Sequence, residues 1–246
     1  MIVSHRHRFI FIKSAKTASS SVELMLSKIC GPDDVLTPLA AFDERYDKDY
    51  YEYQPRNYHG FENHMSACEI KKRVGEEVWN QYLKITIVRN PWDMVVSRYH
   101  WEKARLWPTI KKNIVNILRE PLATVRYKRL LHRIKLIFVL STFSNFIRYF
   151  DKTWTNSRFY FDEQGKPICD AYLRFENLRK GVNDLERILG VQLGDLPHLK
   201  NKPRKAKKHY SQYYNQQQKE RIEKLFKHEI EVFGYTFEQE NSKAKC

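Results

Sequence analysis

Apolar and polar positions along this chain fall into two rhythms, one of strands and one of helices. Phe9-Ile10-Phe11-Ile12 is a short unbroken apolar run, the pattern of a strand buried on both faces. It gives way to Lys13-Ser14-Ala15-Lys16-Thr17-Ala18-Ser19-Ser20-Ser21-Val22-Glu23. That segment reads as a loop of small residues and hydroxyls followed by a helix, which runs to Ile29 and stops at Gly31-Pro32. Residues 33–63, rich in Asp, Tyr, Pro and Asn, read as loop. Met65–Gly75 and Glu76–Gln81 read as helices, and Leu83–Val88 as a β-branched strand. A helix is expected from Pro91 to Lys103, with Asn90 suited to its N-cap and Pro91 to its first position.

Further along, a basic stretch (Arg126, Lys128, Arg129, Arg133, Lys135) precedes Leu136–Phe150, which reads as a buried helix. Phe159–Phe161 and Ala171–Phe175 flank Asp162-Glu163-Gln164-Gly165-Lys166 and suggest a hairpin. Leu178–Leu189 reads as a helix closed by Gly190. After the basic loop Lys200–Lys208 comes one amphipathic helix, Gln216–Phe233, with Ile222, Leu225, Phe226, Ile230 and Phe233 at helical spacing. There is no internal repeat and no low-complexity linker. The expectation is a single α/β domain, a central parallel sheet flanked by helices, with 105–150 as a helical insert and 239–246 as a flexible tail.

Length and charge narrow the partners. The chain has 246 residues, enough for one well-buried α/β domain. A hydrophobic content of 42% and an aromatic content of 14% argue against disorder. The net charge of +15 favours anionic partners, without choosing among nucleotide, acidic glycan, nucleic acid and membrane. Cys30, Cys68, Cys169 and Cys246 are scattered with no CxxC pair, so neither a metal site nor a disulfide framework is expected. No stretch has the apolar h-region of a secretory signal or the ~20 apolar residues of a spanning helix, so the expected location is the cytoplasm.

Two strand-to-helix turns carry the chemistry. The first brings Lys16 and a run of hydroxyls to the start of a helix. The second, Leu83-Lys84-Ile85-Thr86-Ile87-Val88-Arg89-Asn90-Pro91-Trp92-Asp93-Met94-Val95-Val96-Ser97, carries an arginine into a proline-started helix. Helix N-termini offer N–H groups and a positive dipole end to anions. Two such turns, each with a fixed cation and hydroxyls, suit a ligand with two separated phosphates. Ser97 lies eight residues beyond Arg89, a little over two helical turns on. The first turn is not GxxxxGK[ST], so a Walker-type NTPase is not supported, and no strand-ending Asp offers itself to Mg²⁺.

Lys16-Thr17-Ala18-Ser19-Ser20-Ser21 resembles the 5′-phosphosulfate loop of sulfotransferases that use 3′-phosphoadenosine 5′-phosphosulfate (PAPS). Val88-Arg89-Asn90-Pro91-Trp92-Asp93 through Ser97 resembles their 3′-phosphate motif, with the Arg and Ser in register. His64-Met65-Ser66 looks like the HxS segment of the carbohydrate-type members, Arg174-Phe175-Glu176-Asn177-Leu178 like their RFENL stretch, and Phe233-Gly234-Tyr235 like their C-terminal FGY ending. Two positions depart from the family loop, which usually has Pro before the lysine and Gly after the Thr. Here they are Ala15 and Ala18. Ala15 is expected to loosen the turn, and Ala18 requires that its position need no positive φ.

The resemblance implies a P-loop-like fold and transfer of a sulfuryl group from PAPS to an acceptor hydroxyl, leaving 3′,5′-bisphosphoadenosine (PAP). The amides from Thr17 through Ala18, Ser19, Ser20 and Ser21, with the hydroxyls of Thr17, Ser20 and Ser21, would hold the 5′-phosphosulfate. Lys16 would stabilise charge growing on the bridging oxygen, and Arg89 and Ser97 would bind the 3′-phosphate. Lys202 and Arg204, in the basic loop, would fold over the nucleotide or meet an acidic acceptor. A general base near neutrality is needed. His64, Glu62 and His59 are the candidates, and the HxS likeness favours His64. A carbohydrate or glycan is the expected acceptor, its choice shaped by 105–150. No obligatory metal, nucleic-acid partner or transmembrane segment is expected. The alternatives are a Mg-dependent small-molecule kinase of related fold, a non-enzymatic basic protein binding nucleic acid or glycan, and a catalytically dead relative.

Overall fold

The computed structural model describes residues 1–39, 53–119, 135–197 and 208–237. They form two compact units, the first from Met1–Asn90 and Thr155–Leu199, the second from Pro91–Trp154 and Lys200–Gln239.

The first unit is built on a five-stranded sheet of β1 (Ile2–Ser4), β2 (Phe9–Phe11), β3 (Val35–Leu36), β4 (Leu83–Val88) and β5 (Ala171–Arg174), in the order β3-β1-β2-β4-β5. β2, β4 and β5 are parallel, as expected. The sheet as a whole is mixed, because β1 pairs antiparallel with both β2 and β3. The reason is length: only four residues join Ser4 to Phe9, with Arg8 at φ 50°, and a tight turn can join only antiparallel strands. β1 and β3 were not visible as strands in the sequence, being three and two residues long.

Period-two alternation assigns each strand face. Phe9 and Phe11 of β2, Ile85 and Ile87 of β4, and Leu173 of β5 enter one buried cluster. Parallel register lines them up, with Phe11 opposite Ile85 and Ile87 opposite Leu173. Against this face pack helix α1 (Ser19–Ser27), through Val22, Met25 and Leu26, and the helix Leu178–Leu189, through Val182 and Leu185. The latter helix ends where Gly190, at φ 65°, takes the left-handed C-cap. Gly181 admits close approach there, since a Cβ would meet Leu173 Cγ at 3.1 Å.

Two further helices, α2 (Ala67–Val74) and α3 (Glu76–Gln81), occupy the span read as helical. The expected hairpin is not present in full. Asp162–Lys166 does turn, and Phe161 bridges Pro167. However, Ser157–Tyr160 is helical and β5 pairs with β4. Tyr160 explains the preference: its buried hydroxyl donates to Ile87 O at 2.9 Å and its carbonyl accepts from the Tyr172 hydroxyl at 2.9 Å.

The second unit is helical. Its first helix, α4, spans Pro91–Arg119, well past the expected end at Lys103. The region read as one buried helix over Leu136–Phe150 is two. Residues 135–141 are helical, and Phe143–Tyr149 begins anew where Thr142 caps the Asn145 N–H at 3.1 Å. Ile137, Phe138 and Tyr149 are exposed. The single helix expected over Gln216–Phe233 breaks at Phe226 (φ −107°, ψ 17°) into Gln216–Leu225 and Lys227–Phe233. Phe226 is buried and stacks on Phe150 at 6.0 Å. Among the described residues no helix is long and apolar enough to cross a membrane.

Leu173→Ala should cost about 2–5 kcal/mol of stability in urea unfolding, because the side chain lies between the sheet and the helix below it. A loss below about 1 kcal/mol would mean that the site collapses around the gap.

Candidate active site

The C-terminal ends of parallel strands are where α/β sheets gather chemistry. β2, β4 and β5 all end at this edge, and each contributes. The segment after β2 is held backbone group by backbone group. Ser14 Oγ donates to Ile87 O at 2.6 Å, and Ser19 Oγ donates to Ser14 O at 2.6 Å. Ser14 Oγ and Thr17 Oγ1 share a bond at 2.7 Å. The Ala15 N–H donates to Asn156 Oδ1 at 3.1 Å, and Asn156 Nδ2 donates back to Ala15 O at 2.8 Å. Lys16 O accepts from Arg89 Nη1 at 2.6 Å. The two cation-bearing turns recognised in the sequence are therefore in direct contact.

Lys16 and Ala18 both take left-handed backbone, at φ 62° and φ 61°. This corrects the expectation that the Ala18 position needs no positive φ. The chain must reverse between the end of β2 and the start of α1, and these two residues supply the reversal at a cost of order 1–2 kcal/mol each. Ala15 does not loosen the turn either, because Asn156 ties it on both sides. Ala18 is also the N-cap of α1, and its methyl can cap nothing. The helix start, where Ser19, Ser20 and Ser21 are 4%, 6% and 3% exposed, is thus formed without a side-chain cap. The Thr17 hydroxyl is fully buried within the turn.

Arg89 follows β4. Its guanidinium carbon lies 3.8 Å from the centroid of the Phe175 ring, which follows β5. The Asn90 N–H donates to Glu176 Oε1 at 2.6 Å. Phe175 and Glu176 had been noted only as part of a likeness. The structure gives them work: one supports the arginine face, the other fixes the backbone just beyond it.

His64 reaches the same edge. Ser66 and Glu69 form a capping box that fixes the start of α2. That leaves His64 two residues before the cap, at φ 65°. His64 Nδ1 lies 2.9 Å from Lys13 O. A carbonyl only accepts, so Nδ1 carries the proton and the neutral ring presents its Nε2 lone pair. Burial, and then the nearby Lys13 charge, push the His64 pKa down to about 4. Beneath it, the Lys13 ammonium pairs with Glu23, both side chains all but fully buried. Glu23 Oε1 also accepts from Tyr53 Oη at 3.3 Å. His59 and Glu62 are exposed, and His59 lies against Tyr58.

The remaining predicted residues are placed less fully. Ser97 is half-buried on α4 of the second unit. Lys202 and Arg204 lie outside the described residues. Among the described residues, no group of three or more His, Cys, Asp or Glu side chains could hold a metal ion. Asn156, Lys13 and Glu23 escaped sequence reasoning. For Lys13 and Glu23 a signal existed, since a lysine ending an apolar strand and a glutamate inside an apolar helix imply a buried pair.

A model of the sulfotransferase family matches residues 1–236. No curated protein and no solved structure matches the chain.

Two outcomes follow from the buried charges. Glu23 also pairs with the buried Met1 ammonium at 2.5 Å, so Lys13→Met should cost less than the about 3–5 kcal/mol of a fully stranded charge, while Lys13→Met with Glu23→Leu, which leaves that ammonium alone, should cost more in urea unfolding. Equal losses in both variants would show that packing, not charge, is at stake. For His64, the folded pKa of about 4 lies below the ordinary 6.5. The unfolded chain then binds a proton that the folded chain does not, so stability falls as pH drops from about 6.5 towards 4, by up to about 1.4 kcal/mol per pH unit. His64→Gln should flatten that slope, and an unchanged slope would assign it elsewhere.

Proposed function

The chain belongs to the sulfotransferase family, and from that premise we propose that it moves the sulfuryl group of PAPS to a carbohydrate hydroxyl. The observation that carries this reading is the bond between Arg89 Nη1 and Lys16 O, which brings the two anion-gripping turns to one edge. The donor set fits the nucleotide. It comprises a lysine turn, a helix start with no side-chain cap, and a planar guanidinium suited to phosphate. PAPS supplies a sulfuryl group whose S–O bond to phosphate breaks as the acceptor oxygen attacks sulfur.

The amides at the start of α1 hold the 5′ end by hydrogen bonds and helix dipole. Lys16 stands against the negative charge that grows on the bridging oxygen, a contribution that counts most in the transition state. Arg89, supported on Phe175, would hold the 3′-phosphate. Ser97 is assigned to the same phosphate by the resemblance alone. His64 takes the acceptor's proton on Nε2, since Nδ1 is engaged by Lys13 O. Burial keeps this base neutral near pH 7. Its half-buried ring supports it over the exposed His59 and Glu62. A sugar acceptor rests on the likeness of His64-Met65-Ser66 to the carbohydrate branch. A reducing, cytoplasmic setting accords with Cys30, Cys68 and Cys169, which are free thiols.

Incubation with PAPS and a panel of glycans, glycolipids and phenols should give one acceptor a mass gain of one sulfuryl group, and PAP should bind with no metal added. Binding that demands Mg²⁺ and ATP would favour a kinase. Lys16→Ala should lower turnover by orders of magnitude, and Arg89→Ala should weaken PAP by roughly 2–5 kcal/mol.

A further inference from the structure

We infer that Asn156 is the positioning residue that sets the lysine turn for its anion, acting through both backbone groups of Ala15. The inference rests on the sulfotransferase reading for the identity of the anion, but on geometry alone for the clamp.

The geometry is specific. Asn156 comes from a segment 141 residues away from Ala15, yet accepts from Ala15 N at 3.1 Å and donates to Ala15 O at 2.8 Å. A primary amide matches a backbone N–H and C=O as another strand would, one acceptor and one donor side by side. Asn156 is only 2% exposed, so both amide atoms need partners and have them.

Its position sharpens the point. Asn156 is the N-cap of the helix Ser157–Tyr160, where asparagine ordinarily accepts from the second or third helical N–H. Here the side chain makes no such cap bond. The helix forgoes its cap, and the amide is spent on Ala15. A local rule broken in this way marks a site with another demand on it.

The clamp acts on the residue just before Lys16, which is itself left-handed at φ 62°. A left-handed lysine is costly and persists only where its surroundings over-determine it. Asn156 holds the chain on the entering side of Lys16, and Arg89 holds the Lys16 carbonyl on the leaving side. Between them the direction of the lysine side chain and of the amides that follow is set. Neither Asn156 nor its amide need touch the nucleotide.

The test uses the full chain, Asn156→Ala and Asn156→Asp, and two probes. One is PAP. The other is adenosine 3′-monophosphate, which lacks the 5′-phosphate that the turn would grip. By titration calorimetry Asn156→Ala should weaken PAP about tenfold and adenosine 3′-monophosphate by less than about twofold, the scale of two net hydrogen bonds passed to one end of the ligand. Asn156→Asp, which sets a carboxylate oxygen against Ala15 O and adds a buried negative charge beside the turn, should weaken PAP at least as much as Asn156→Ala. Equal weakening of both probes would mean general loosening, and no weakening of either would mean no positioning; each overturns the inference. Amide hydrogen exchange on the ligand-free protein gives the independent arm, with faster exchange expected at Ala15–Ala18 in Asn156→Ala. If the unaltered chain binds neither probe, the sulfotransferase reading is at fault. Exchange then decides alone whether Asn156 sets the turn, and unchanged protection there would refute it.

Discussion

Where β2 gives way to α1, a buried backbone has to leave its sheet without stranding a polar group. A buried N–H or C=O left unpaired costs about 1–3 kcal/mol, so each needs a partner before the turn can exist. The partners come from four places. Ser19 satisfies Ser14 O from within the turn. Ile87 O, on the neighbouring strand, receives the Ser14 hydroxyl. Asn156 covers Ala15 on both sides, and Arg89 covers Lys16 O. The geometry of this turn is enforced by these contacts, not by its own residue preferences.

Below the turn lies a second constraint. Lys13 and Glu23 are charged and almost wholly removed from water. A buried pair is weak evidence for stability, and the Met1 ammonium on the same carboxylate adds a third buried charge. The pair's use here is positional. Lys13 carries the carbonyl that receives His64 Nδ1, and a side chain anchored in a buried pair fixes where that carbonyl stands. The same lysine helps to keep the imidazole neutral.

The sequence made much of this edge readable and some of it not. β4 and the helix Leu178–Leu189 match their expected spans because strong periodicity and clear stop residues agree there. The turns bearing Lys16 and Arg89 meet at one edge, as two strand-to-helix turns of a parallel sheet should, and His64 stands beside them through Lys13 O. β1 and β3 were not legible, since two- and three-residue strands are defined by pairing with distant chain. Phe226 breaks its helix because tertiary packing overrode a continuous amphipathic pattern. Asn156 looked like any turn residue, since nothing local says that its amide faces Ala15. Ala18 was misjudged for a related reason. Residue type gives the cost of left-handed backbone, whereas the surrounding contacts decide whether that cost is met.

The seat of Arg89 has a thermodynamic consequence. An arginine side chain on a surface surrenders up to about 2 kcal/mol of rotamer freedom when it is immobilised. Here the guanidinium already rests on Phe175 and already donates to Lys16 O, so much of that freedom is gone in the ligand-free protein. Recruitment of an anion at this spot would carry a small entropic penalty, and a lysine of equal charge, round and strongly hydrated, would have no flat face to lay on the ring.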